Sequence, residues 1–144
     1  VINNKADGLI LLAPCIKIKS TLTPLVPYVK YFKKFDNKKL DGEENKYFYE
    51  TYPMEGVYQL MKFAEYTRPL AEQINVPVLM FQHMGDKVVS ADASRDFFER
   101  IKTDKKAIYY DIDESGYHTL DGEKNPNRDQ MLADIEEWIN GTQK

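Results

Sequence analysis

The chain has 144 residues, 42% of them hydrophobic and 30% charged, enough for one domain with one sizeable core. A net charge of -3 argues against a nucleic-acid partner, since phosphate binding needs a basic face. A single cysteine, Cys15, cannot form an internal disulfide and favours a reducing, cytoplasmic compartment.

Leu9 to Leu12 is a short apolar run bounded by Gly8 and Ala13-Pro14, which predicts a strand buried on both faces. The opening residues do not read as a secretory leader. A long insertion, about Ser20 to Asn75, separates this strand from the next, and a plain crossover needs only about a dozen residues. Residues 21–52 are rich in Pro, Lys and Tyr, and the cluster Lys33, Lys34, Lys38 and Lys39 reads as a solvated surface. Residues 54–67 read as a helix with Met54, Val57, Leu60, Met61 and Ala64 on one side, ended or kinked by Pro69. Val78 to Phe81 is the second strand and Ala107 to Tyr110 the third. Between them Ser90 can cap a helix that carries Phe97, Phe98 and Ile101 on one face. In the last helix Asn125 is the expected N-cap and Pro126 the first helical position. Its stripe is Met131, Leu132, Ile135, Trp138 and Ile139, and Gly141 is the expected stop. Strand–helix alternation predicts a parallel α/β sheet. No run approaches the roughly 20 apolar residues of a membrane span.

Chemistry-bearing residues follow the second and third strands. Asp86 lies in Gly85-Asp86-Lys87-Val88-Val89, and His118 in Glu114-Ser115-Gly116-Tyr117-His118. Functional groups gather at the carboxyl ends of strands in open parallel sheets, so neighbouring strands would bring these two within hydrogen-bonding reach. A carboxylate fixes the tautomer and orientation of an imidazole and leaves its other nitrogen free to take a proton. Two plainer roles stand beside this one: a turn aspartate and a loop histidine. Asp111, Asp113 and Glu114 can replace Asp86 as the partner. Cys15 reads as a structural thiol rather than a nucleophile. His83 lacks further ligands at metal-site spacing, so neither a metal nor a cofactor is implied. The aromatic-rich insertion is either a small packing surface or an acyl-chain pocket.

Four segments carry a resemblance. Ala6-Asp7-Gly8-Leu9-Ile10-Leu11-Leu12-Ala13-Pro14 resembles the sixth strand of the α/β-hydrolase fold, and Ile74-Asn75-Val76-Pro77-Val78-Leu79 resembles the lead into its seventh. Gly85-Asp86-Lys87-Val88-Val89 resembles the loop bearing the acid. Gly116-Tyr117-His118-Thr119-Leu120, with Asp121 and Glu123 beyond, resembles the loop bearing the histidine. The likeness is to the C-terminal part of the fold in its carboxylesterase and monoacylglycerol-lipase branch, with serine-aminopeptidase-like relatives. It implies catalytic roles for Asp86 and His118. It also implies a hydrolase core over 1–19 and 76–144, of about three parallel strands with flanking helices, and a helical cap over 20–75.

The sequence also departs from the family. None of Ser20, Ser90, Ser94 and Ser115 lies in a G-x-S-x-G elbow. By the family's order the elbow falls roughly 20–30 residues before Leu9, upstream of Val1, and the oxyanion hole would be missing with it. The resemblance thus implies an acyl-ester serine hydrolase of which this chain supplies the acid and the histidine but not the nucleophile, and which is inactive alone. Its partner would be a small acyl ester. Association through an exposed sheet edge, or with the missing half, is expected. The competing expectation is a non-catalytic α/β binding module or hydrolase remnant. A peptidase or thioesterase of the same fold would share the Asp–His pair.

Overall fold

The computed structural model describes residues 6–37, 49–110, 118–122 and 125–142. Its centre is a three-stranded parallel sheet of β1 (Leu9–Leu12), β4 (Val78–His83) and β5 (Lys105–Tyr110), in the order β1-β4-β5. The middle strand β4 is buried along its whole length, which is why Val78 to Phe81 is a continuous apolar run rather than an alternating one; the buried Gln82 and His83 extend the strand beyond that run.

Successive residues of β4 feed two cores, as the period of two requires. Val78 and Met80 pack with Ile16, Ala71, Ile74, Val76, Phe97, Phe98 and Ile101 on one face. Leu79 and Phe81 pack with Ala13, Leu120 and Met131 on the other. The large apolar side chains among them contribute roughly 1.5–3 kcal/mol each when fully buried, relative to the exposed state. Helix α3 (Ala91–Glu99) covers the first face, and its Ser90 cap forms as expected, accepting from the Ala93 N–H at 3.3 Å. Ile101 lies beyond the helix end but is still buried.

Helix α4 (Arg128–Thr142) covers the second face and departs from expectation at both ends. Asn125 caps a turn, its Oδ1 accepting from the Asn127 N–H at 3.1 Å, and the helix proper starts at Arg128. Gly141 does not stop it. The Thr142 hydroxyl instead bonds the carbonyls of Trp138 at 2.9 Å and Ile139 at 3.1 Å, so the last turn is satisfied without a left-handed glycine. Met131 is buried and Ile135 and Trp138 pack on the core, while Leu132 and Ile139 face outward. The stripe is narrower than the sequence suggests. Trp138 also explains Gly8: a Cβ there would stand 2.5 Å from the indole Cη2.

The insertion holds a 3-10 turn (Thr23–Leu25), α1 (Val26–Val29), β2 (Phe35–Asn37), β3 (Thr51–Pro53), α2 (Met54–Thr67) and a 3-10 segment (Arg68–Gln73). Helix α2 has the expected bounds, and Pro69 lies in the 3-10 segment that follows it. The antiparallel β2–β3 pair was not expected. A cavity of about 250 Å³ lies against the insertion, walled by Ile18, Leu22, Val26, Val29, Met54 and Val57, with Ser20, Lys33 and Asp36 among its polar neighbours. Among the described residues no helix is long and apolar enough to cross a membrane.

Candidate active site

A tight turn carries the chain out of β4. The Gly85 N–H donates to His83 Nδ1 at 3.0 Å and the Asp86 N–H to the His83 carbonyl at 3.1 Å. This sets Asp86 just past the carboxyl end of the central strand. Its carboxylate is wholly removed from solvent. Oδ1 accepts from the N–H groups of Val88 at 2.7 Å and Val89 at 3.0 Å.

His118 reaches the other oxygen. Nδ1 lies 2.9 Å from Asp86 Oδ2. Burial pushes the Asp86 carboxyl up, but the His118 hydrogen bond and the Val89 and Val88 N–H groups outweigh it and hold the group below the usual carboxylate range. An ionised carboxylate can only accept, so Nδ1 carries the proton of this bond and, in the neutral ring, Nε2 is the basic nitrogen. The pair is asymmetric in exposure: the His118 side chain is 37% exposed and that of Asp86 0%. One end of the couple is anchored in the protein and the other opens outward.

The His118 loop is fixed from its far side. Leu120 is buried beside Phe81 and Met131. The Asn125 side-chain N–H donates to the Leu120 carbonyl at 2.6 Å, and Arg128 Nε donates to the Asp121 carbonyl at 2.9 Å. The turn that leads into α4 thus also holds the histidine loop. Asp111, Asp113, Glu114 and Glu123 lie outside the described residues.

Two further contacts on Asp86 were not read from the sequence. Gln82 Nε2 donates to the His83 carbonyl at 3.0 Å and lies 3.4 Å from Asp86 Oδ2. The reversed amide would aim its oxygen at two acceptors, so this orientation is the one the bonds support. A glutamine directly after the apolar run Val78 to Phe81 is the available signal. The second contact is Lys19, whose Nζ donates to the Asp86 backbone carbonyl at 2.7 Å. Nothing in its surroundings in sequence marks it.

Of the remaining nucleophile candidates, Ser115 lies outside the described residues and the others are held in other roles. Ser94 Oγ donates to the Pro14 carbonyl at 3.1 Å inside the core, Ser90 caps α3, and Ser20 Oγ accepts from the Leu22 N–H at 3.2 Å. Burial, and then the charge of Asp86, push the Cys15 thiol up, so it stays protonated and poorly nucleophilic. Among the described residues no three His, Cys, Asp or Glu side chains are grouped as a metal ion requires.

Comparison with known proteins bears on this geometry. Residues 36–125, which include both Asp86 and His118, match the family described as serine aminopeptidase, S33. No curated protein sequence matches the chain. Among solved structures, the monoacylglycerol lipase of Paleococcus ferrophilus is similar at a TM-score of 0.72 and 19% identity, over 97% of this chain and 61% of that one. A soluble variant of monoglyceride lipase from Saccharomyces cerevisiae, in complex with a substrate analogue, is similar at 0.71 and 14% identity, over 97% of this chain and 57% of that one. A structure of metagenome-derived lipolytic enzymes is similar at 0.70 and 15% identity, over 94% of this chain and 57% of that one. The chain therefore has the α/β-hydrolase fold and spans about three fifths of the length of these structures. Because the family match covers well over half of its residues, this chain belongs to the S33 serine aminopeptidase family of α/β hydrolases.

Proposed function

We propose that Asp86 and His118 are the acid and base of a serine hydrolase acting on acyl esters, with the nucleophile supplied from outside these residues. The observation that carries this reading is the 2.9 Å bond between His118 Nδ1 and Asp86 Oδ2, made past the ends of two adjacent parallel strands. In this reading Nε2 takes the proton of an attacking serine and returns it to the leaving alcohol. The acyl-enzyme so formed is then cleaved by water. Asp86 holds the ring in the productive tautomer and stabilises the imidazolium. Residues 20–75 serve as a cap, and the cavity against them, mostly apolar, is suited to an acyl chain. The lipases among the similar structures support the ester as substrate class.

The test is turnover of a short-chain nitrophenyl ester, run beside an aminoacyl arylamide. The 144-residue chain alone is expected to be inert to both and to a fluorophosphonate probe, because it has no elbow serine. Joined to a segment that supplies the elbow, it is expected to cleave the ester, and His118→Ala is expected to lower turnover by about four orders of magnitude. Ester turnover by the chain alone that is abolished by His118→Ala overturns the assignment of the nucleophile. Preference for the arylamide overturns the substrate class.

A further inference from the structure

We infer that Lys19 is a positioning residue for Asp86, through which the wall of the insertion's cavity holds the turn that carries the acid. This rests on the reading of Asp86 and His118 as an acid–base pair. Lys19 stands between Ile18 and Ser20, both of which line the cavity, while Lys19 does not. In extended chain, neighbouring side chains take opposite sides. Two residues therefore face the cavity while the lysine between them reaches the other way, to the acid.

Its grip on the Asp86 turn is double. The side-chain amine donates to the carbonyl of Asp86 at 2.7 Å, and the backbone N–H donates to the carbonyl of Val88 at 2.9 Å. On either side of it, Ile18 bridges Val89 in antiparallel fashion and the Ser90 N–H donates to the Lys17 carbonyl at 2.8 Å. The turn thus has one face turned inward, where the Val88 and Val89 N–H groups clasp the carboxylate, and one face held by residues 17–19. The Asp86–Lys87 peptide, whose carbonyl the lysine ammonium holds, leads directly into the Lys87–Val88 peptide, whose N–H donates to Oδ1. Such a charge-assisted bond is shorter and stronger than a neutral one. The inward clasp alone orients Oδ1, whereas the orientation of Oδ2 toward His118 also requires that the turn itself not rock.

The decisive readout is spectroscopic and does not need catalysis. In the proton NMR spectrum of this chain, the His118 Nδ1–H held against Asp86 is expected far downfield and slow to exchange, and Asp86→Asn is expected to abolish it. Lys19→Met keeps the stem and removes every donor. It is expected to speed exchange of that proton about tenfold or more, while the rest of the spectrum keeps its native dispersion. Lys19→Arg restores a donor and is expected to return slow exchange. Unchanged exchange in Lys19→Met overturns the role of Lys19 and leaves the acid–base pair standing. So does collapse of the whole spectrum in both variants, because Lys19 is then a general structural residue. A wild-type chain without the downfield proton overturns the pair itself, and with it the proposed function.

Discussion

Replacing Asp86 by Ala removes a carboxylate that three short hydrogen bonds converge on, from Val88 N, Val89 N and His118 Nδ1. Hydrogen bonds to a charged group contribute about 1.5–3 kcal/mol each, and a buried donor left without a partner costs about 1–3 kcal/mol. Val89 is buried, so its N–H is stranded, whereas Val88 is half exposed and its N–H can turn to water. Part of the loss is returned because a carboxylate no longer has to be desolvated. The net expected cost of Asp86→Ala is about 3–5 kcal/mol, a large fraction of the 5–15 kcal/mol typical of a folded domain. Asp86→Asn is the informative companion. Its side-chain oxygen can still accept from Val88 and Val89, but its amide then faces Gln82 Nε2 and the His118 ring. That variant should cost about 1–2 kcal/mol and force His118 into the other tautomer. Urea unfolding followed by fluorescence measures both, since Trp138 is the sole tryptophan and packs on the core beside Met131. An alanine variant within about 0.5 kcal/mol of wild type, or an asparagine variant less stable than the alanine one, would refute the account of this carboxylate as the turn's organising acceptor.

The Asp86 carboxyl is held below its ordinary value in the folded chain, so it binds its proton less readily there than when unfolded. Its contribution to stability is therefore fully present above the ordinary carboxylate range and is lost as pH falls through the folded value. Urea midpoints below about pH 4 should fall more steeply for wild type than for Asp86→Asn, and parallel curves would contradict this. Gly8→Ala places a Cβ against the Trp138 ring and should destabilise by about 1–3 kcal/mol, with a shift in indole emission; a neutral result would mean that the ring can move aside. Strand β1 pairs with β4 alone among the described strands, so the chain by itself is expected to associate through that free edge in light scattering. A monodisperse monomer would count against it.

The parts of the fold that can be read from sequence are those in which one local signal dominates. The apolar runs of β1 and β4 read as strands and form them, although β1 is half-buried with Leu12 exposed rather than buried on both faces, and helix α2 announces itself by spacing and by the proline beyond it. Strand β5 is legible only over Ala107 to Tyr110, because it begins with Lys105 and Lys106, whose exposure at the sheet's edge hides them from any hydrophobic pattern. The β2–β3 pair has three residues a side, too few for alternation to be visible. Asp86 and His118 could be anticipated because each follows a strand that the sheet brings next to the other's. Lys19 could not, since its contact spans 67 residues and depends on how the insertion leaves the sheet.

Gly8, just before the first strand, and Trp138, in the last helix of the described chain, lie far apart in sequence, yet they touch. During synthesis β1 emerges well before α4, so the face of it that carries Ile10 waits for the indole to arrive. Until then that face is open to whatever else is in the cell. Chaperone capture of nascent chains halted before and after Trp138 emerges should differ sharply. The hazard of this topology lies in the order of its assembly rather than in the finished sheet.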